Sequence, residues 1–245
     1  SGIPDGNVLG FDPYMVKTYD DDELRELVAF HQIDLRLKEE NPFNPTTPKT
    51  TEEYLKLISE NEEFGKIYDR FVNQLKMQET YTENGKPVKG IEAYLPRDIY
   101  ECDKHHIAVA NDIMKSREKL SKNGKFHAML ATKNIPEAIA YYRLFRKYHP
   151  SVNVVAVFDS NIDNSDGGIV REDAIKEMLT DYNAKYGTNY QLANYAKYKK
   201  DVARRLAHKK PYAHIDQEHQ LDLLIVVTQM LTGYDSKYVN TLYAD

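Results

Sequence analysis

Apolar residues in the second half of the chain follow two alternating patterns. Short unbroken apolar runs predict buried strands over residues 126–131, 152–158, 221–227 and 239–244. Between the runs, apolar residues recur every three or four positions, which predicts helices. The first strand, its helix and the second strand form a βαβ unit, which we expect to be parallel and right-handed. The pattern therefore predicts an α/β domain built on a parallel sheet, with a helical insertion at about 160–215.

The first half of the chain is predicted to be mainly helical. Capping residues predict helices that begin at Asp20 and Thr50, and a third begins near Asp98. Helical spacing of apolar residues continues the second helix to Leu75. An asparagine followed by glycine at 84–85 is typical of a hairpin or exposed turn. We therefore predict that residues 1–124 form a link and a helical segment, followed by the α/β domain over 125–245.

Composition limits the possible function without defining it. Of the 245 residues, 41% are hydrophobic, and the net charge is -5, so any nucleic-acid contact must be local. The single cysteine, Cys102, excludes an internal disulfide and is consistent with the cytoplasm. The longest apolar run, near 221–227, is far too short to cross a membrane.

Two segments lie where parallel α/β sheets bind ligands, beyond the carboxyl ends of strands. The first, Thr132-Lys133-Asn134, follows the first strand and opens a helix. Its hydroxyl, ammonium and free amides suit a phosphate. An ordinary helix cap explains the same residues, and on physical grounds alone it is the better interpretation.

The second segment is a polar elbow between the last two strands. Thr232 offers a hydroxyl, Gly233 allows backbone conformations that other residues avoid, and Asp235 offers an acceptor for a ribose hydroxyl or a basic partner. A simple turn capped by Asp235 remains open as an alternative.

A basic stretch over 197–210 reverses the acidic character of the chain, with seven Lys or Arg residues and one acid, Asp201. Such a stretch could follow a phosphate backbone, and Lys199 and Arg204 are its candidate DNA-binding residues. On a helix these charges point almost all round, so a solvated helix is the alternative.

Several other motifs are excluded. The chain contains no complete phosphate loop of the G-x-x-x-x-G-K-[ST] type. His105 and His106 diverge on a helix and lack the spacing of a zinc motif, so we predict no metal site. Cys102 has apolar neighbours and is interpreted as a core residue.

Five segments resemble, in the same order, the second motor domain of the type I restriction endonuclease R subunit, a superfamily-2 helicase-like translocase. They are residues 126–147, 152–159, 174–190, 194–206 and 221–245. The closing stretch "LDLLIVVTQMLTGYDSKYVNTLYAD" is similar to the family's motif V region, and "FHAMLATKNIPEAIAYY" to motif IV. The opening "DGNVLGFDPYMVKTY" resembles the link between the two motor domains. Residues 40–95 match less clearly. Ser236-Lys237 stands where the family has Ala-Pro.

The resemblance implies a RecA-like fold and a DNA-dependent ATPase that feeds a site-specific nuclease. Thr132, Lys133, Asn134, Thr232 and Gly233 would hold the DNA backbone. Gly233 and Asp235 would face the nucleotide cleft. ATP and Mg would bind the intact subunit, and the fragment is expected to be inactive and to bind neither tightly.

The implied partners are double-stranded DNA, the first helicase domain of the same subunit, and the modification and specificity subunits. The chain would then be a piece of the motor, ending inside it. Two alternatives remain: a stand-alone nucleotide-binding α/β module, and a protein-interaction module that uses residues 20–120.

Overall fold

The computed structural model of the chain describes residues 16–43, 46–96, 98–158, 168–227 and 236–245. The chain divides into two compact units, Ser1–His105 and His106–Asp245. They are called the amino-terminal unit and the carboxyl-terminal unit below.

Helices and a short hairpin make up the amino-terminal unit. Its elements are α1 (Asp21–Glu40), α2 (Thr51–Glu60), α3 (Glu62–Asp69), a π-helical turn (Arg70–Gln74), and the antiparallel strands β1 (Thr80–Tyr81) and β2 (Pro87–Val88). The Asp20 carboxylate accepts the Glu23 N–H at 2.8 Å, which confirms the predicted cap. Gly85 has φ +70° between the two strands, as a tight turn requires.

The predicted second helix is not continuous. Asn61 leaves helical geometry, and its side chain accepts the backbone N–H groups of Glu63 and Phe64, so that a new helix starts there. Asparagine favours this role because its side chain satisfies amides that have no partner within the helix. The apolar spacing persists across the break, which is why spacing alone predicted one helix.

A small core holds the amino-terminal unit together. It consists of Val28, Ala29, Phe71 and Ile91, with partly buried neighbours around it. Polar contacts add to it, because the Arg25 guanidinium donates to the Leu75 carbonyl at the end of the π-helical turn.

The carboxyl-terminal unit is a parallel sheet with helices. Its helices are α4 (Asp103–Leu120, of which the part from His106 belongs to this unit), α5 (Ile135–Tyr148), α6 (Gly168–Tyr186) and α7 (Tyr195–Leu206). Its strands are β3 (His127–Thr132), β4 (Val154–Val157), β5 (Leu223–Val227) and β6 (Val239–Ala244). The strand order is β4-β5-β3-β6, and every pairing is parallel. This confirms the predicted α/β fold class with a RecA-like parallel sheet.

The four predicted strands are all present, but β3 and β4 are not neighbours. The last apolar run before the elbow, β5, lies between them and pairs with both. All five residues of β5 are buried, as expected for a central strand covered on both faces. The buried face of α5, with Ala138 and Phe145 fully buried, packs in the same core.

Among the described residues, no helix combines the length and apolar character needed to span a bilayer.

Candidate functional site

The carboxyl end of β3 leads directly into α5 at the edge of the sheet. Thr132 is completely buried, and its hydroxyl lies 3.2 Å from the Asn134 carbonyl oxygen and 3.3 Å from that of Val226. These contacts fix the turn between strand and helix. In this conformation the Thr132 hydroxyl therefore has a structural role, and its predicted phosphate contact stays a prediction.

The first turn of α5 has its own anionic group. The Asn134 side chain caps the helix by accepting the Glu137 N–H at 2.9 Å. The Glu137 carboxylate in turn accepts the Lys133 N–H at 2.7 Å. A phosphate at this helix start would compete with that carboxylate for the amide. The Lys133 ammonium is on an exposed residue and is the member of this segment best placed to meet a ligand.

Three ionisable side chains from distant parts of the sequence meet beside this turn, and we call them the carboxylate cluster: His106, Glu137 and Asp245. One ligand atom from each lies within 4.8 Å of the others. His106 Nε2 is 3.8 Å from Glu137 Oε1, and both residues are buried, at 7% and 9% exposure. Tyr141 donates its hydroxyl proton to Asp245, and burial together with this hydrogen bond raises the pKa of the Tyr141 phenol.

The predicted elbow residues Thr232, Gly233 and Asp235 lie outside the described residues. Residues 236–245, which follow the elbow, are described. The Ser236 hydroxyl donates to the Leu206 carbonyl at 3.0 Å, and the Tyr238 ring stacks on His208 with centroids 3.9 Å apart. Both contacts tie the start of the last strand to the end of α7.

Helix α7 separates its basic residues by face. Lys197, Lys200 and Arg204 are exposed, and their spacing of three and four positions places them on one side of the helix. Lys199, the other predicted DNA contact, is half-buried with its ammonium 5.6 Å from the centroid of the Tyr195 ring. The expectation that the basic residues point almost all round the helix is therefore wrong. The exposed basic residues of α7 lie on one side, which we call the basic face.

The remaining arginine of α7 points into the protein. Arg205 is 4% exposed and lies over the rings of Tyr186 and Tyr212, with its guanidinium carbon 3.8 and 4.1 Å from their centroids. It donates to the Tyr182 hydroxyl at 3.1 Å, and that hydroxyl donates to Asp201 at 2.7 Å. We call these five residues the arginine network, and it anchors α7 to α6.

Sequence reasoning missed the carboxylate cluster and the arginine network. Its test for a metal site required ligands at short spacing, whereas the cluster joins residues from α4, α5 and the end of β6. The sequence does contain a signal for the arginine network. Asp201 and Arg205 stand four residues apart on a helix, a spacing that favours an ion pair between them.

A parallel sheet with helices on it, and with candidate ligand groups beyond the carboxyl end of a strand, places the carboxyl-terminal unit in the RecA-like α/β class. A family model described as type I restriction enzyme subunit R domain 3 matches residues 124–245. The chain, through these residues, belongs to that family of R subunits.

Two curated relatives extend the match. The type I restriction enzyme SauMRSORF196P endonuclease subunit of Staphylococcus aureus strain MRSA252 is 26% identical over 183 residues, covering 71% of this chain. The type I restriction enzyme SsaAORF53P endonuclease subunit of Staphylococcus saprophyticus is 28% identical over 184 residues, again 71% of this chain. The matched region spans 19% of the length of each relative.

Proposed function

We propose that this chain contributes the second motor domain of an ATP-driven DNA translocase within a type I restriction enzyme. In the intact R subunit, ATP with Mg would bind in a cleft between this domain and the first helicase domain. Closing and reopening of the cleft would move the enzyme along double-stranded DNA. Nuclease activity would belong to the intact subunit, acting with the modification and specificity subunits in the cytoplasm.

One observation carries this proposal. The family match over 124–245 coincides with the parallel sheet of the carboxyl-terminal unit, including β3, β5 and β6. The segments that resemble helicase motifs IV and V include β3 and β5 and continue past their ends. These two strands are adjacent and parallel, so their carboxyl ends lie at one edge of the sheet.

The described residues also support particular contacts. Lys133 is exposed at the start of α5, next to the capping Asn134, where a DNA phosphate would reach it. By the family resemblance, Thr232 and Gly233 would contact the DNA backbone, and Asp235 would face the nucleotide. Arg204 belongs to the basic face of α7.

The basic face provides the test. In the full R subunit, the triple variant Lys197→Gln, Lys200→Gln, Arg204→Gln should weaken binding to duplex DNA. The slope of log K against log salt should become shallower by about 0.9 for each phosphate that the variant no longer neutralises. ATP turnover at limiting DNA should fall with it, while turnover without DNA should not change. Fluorescence anisotropy over a salt series and a coupled ATPase assay measure the two effects.

A matched control removes the same charge elsewhere in the carboxyl-terminal unit. Lys115, Lys119 and Lys125 are exposed on or just after α4, and their triple change to Gln should leave the salt slope unchanged. If both triple variants weaken DNA binding equally, binding depends on net charge alone, and the assignment of α7 to the DNA interface is wrong. If neither changes binding, the proposed DNA interface is also wrong.

A further inference from the structure

We propose that the carboxylate cluster of His106, Glu137 and Asp245 binds a divalent transition-metal ion of the Zn²⁺ or Mn²⁺ class. Imidazole nitrogen with carboxylate oxygens is a donor set that suits these ions. One donor atom from each residue already lies within 4.8 Å of the others. This inference does not rest on the proposed motor function.

Charge is the first argument for a cation. Two carboxylates converge on one imidazole, and Glu137 and His106 are both more than nine-tenths buried. Two carboxylates this close, Glu137 buried and Asp245 half-buried, repel each other, and each loses hydration. One protonated imidazole would neutralise a single carboxylate, whereas a divalent cation would neutralise both.

The geometry needs only a small contraction to reach coordination distances. A triangle with sides of 4.8 Å has its centre about 2.8 Å from each corner, so each donor would move inward by roughly 0.7 Å to reach about 2.0–2.2 Å. Because 4.8 Å is the upper limit of the separations, this is the largest movement required. His106 Nε2 and Glu137 Oε1 are already closer, at 3.8 Å.

Neighbouring groups orient two of the three donors. The Tyr141 hydroxyl donates to an Asp245 oxygen, and the Lys133 N–H donates to Glu137 Oε2 at 2.7 Å. The other oxygen of Glu137, Oε1, is the one that lies toward His106. Outer hydrogen bonds of this kind commonly fix carboxylate ligands in metal sites.

A bound ion would join three elements at the sheet edge. His106 lies near the start of α4, Glu137 in the first turn of α5, and Asp245 directly after β6. The ion would therefore fix the start of α5, the segment that contains Lys133 and Asn134. Three protein donors also leave positions open for water or another ligand.

The test uses the chain as it is, stripped with a chelator and then titrated with ZnCl₂ or MnCl₂ in separate experiments. Isothermal titration should give one saturable site per chain for at least one of the two ions. The variants Glu137→Gln and Asp245→Asn keep the shape of each side chain and should each weaken binding by at least about tenfold. Far-UV circular dichroism shows whether each variant is folded.

A surface pair provides the matched control. His219 and Asp216 are in contact at 2.6 Å on exposed side chains, where an ion could bind loosely. His219→Gln should leave the main binding isotherm unchanged. A version with two glycines added after Asp245 should still bind, because the proposed donor is the Asp245 side chain and not a main-chain carboxylate.

Three outcomes would overturn the proposal. One is that the folded chain shows no saturable site for either ion. Another is that both Glu137→Gln and Asp245→Asn bind as tightly as the unchanged chain. The third is that His219→Gln, or the glycine extension, abolishes binding, because the donors would then lie elsewhere. A rise in melting temperature with added ion, smaller in Glu137→Gln, would agree with the titration.

Discussion

The carboxyl-terminal unit contains two charged clusters that differ in their charge balance. In the arginine network, one guanidinium and one carboxylate are both buried, and a tyrosine hydroxyl bridges them. In the carboxylate cluster, two acids meet one imidazole. The first cluster contains its own counter-charge, whereas the second has two acids for a single basic side chain.

This difference separates a structural cluster from a candidate binding site. Asp201 accepts hydroxyl hydrogens from Tyr182 at 2.7 Å and Tyr212 at 2.5 Å, so both of its oxygens have donors. A buried carboxylate that has a buried cation nearby and donors on both oxygens is already compensated, so it has no need of a ligand, whereas removal of its cation would be costly. The carboxylate cluster gains most from an added cation, which is why we place the metal site there.

The largest expected effect comes from removing the charge of the arginine network. Arg205→Met leaves Asp201 buried without its cation and removes the ring contacts. We expect a loss of about 3–5 kcal/mol in the free energy of unfolding. The neighbouring Arg204→Met changes an exposed residue of the same type and should stay within about 0.5 kcal/mol. Urea unfolding followed by circular dichroism measures the free energy of unfolding of both variants. Equal losses would show that the buried Arg205 contributes no more to stability than the exposed Arg204.

A buried histidine that faces a second histidine should give the next largest effect. His127 is 2% exposed, and its Nε2 is 2.8 Å from His208 Nε2. Burial first, and then His208, lower the pKa of His127 from 6.5 to about 4. The unfolded chain therefore binds more protons between these values, so stability is complete above pH 6.5 and is lost as the pH falls toward 4.

Between pH 7 and pH 5 this single group should remove about 2 kcal/mol from the free energy of unfolding. His127→Gln should lose less stability than the unchanged chain over that interval. His214→Gln, which changes an exposed histidine, should follow the unchanged chain. Urea unfolding at several pH values makes the comparison. If His127→Gln keeps the full pH dependence, the neutral buried imidazole is not its source.

Local patterns predicted the elements well because they depend on residues close in sequence. The Asp20 cap and the alternation of apolar runs with helical spacing both reappear in the structure. Strand order was not predictable, because apolar runs such as 221–227 indicate burial but not which strands they pair with. The break at Asn61 was missed because the apolar stripe continues through it.

In the candidate site, too, features that depend on nearby residues were predictable and features that depend on tertiary packing were not. The capping role of Asn134 is a local property and was anticipated as the alternative to phosphate binding. The meeting of His106 with Glu137 and Asp245 depends on how α4, α5 and β6 pack, which no spacing rule encodes. The inward turn of Arg205 similarly depends on tyrosines from other segments.

The smallest expected effect is the one that most directly separates the two clusters. Glu137→Gln and Asp201→Asn both convert a buried acid into its amide. In metal-free buffer, Glu137→Gln relieves repulsion with Asp245 and keeps an oxygen for the Lys133 N–H, but loses a favourable charge at the helix start. These opposing contributions should leave the free energy of unfolding within about 1 kcal/mol of the unchanged chain. Asp201→Asn isolates the Arg205 guanidinium and should cost several times more. Equal losses in urea unfolding would mean that the Glu137 carboxylate is stabilised by its neighbours as strongly as the Asp201 carboxylate is, and the charge argument for a bound cation would then be wrong.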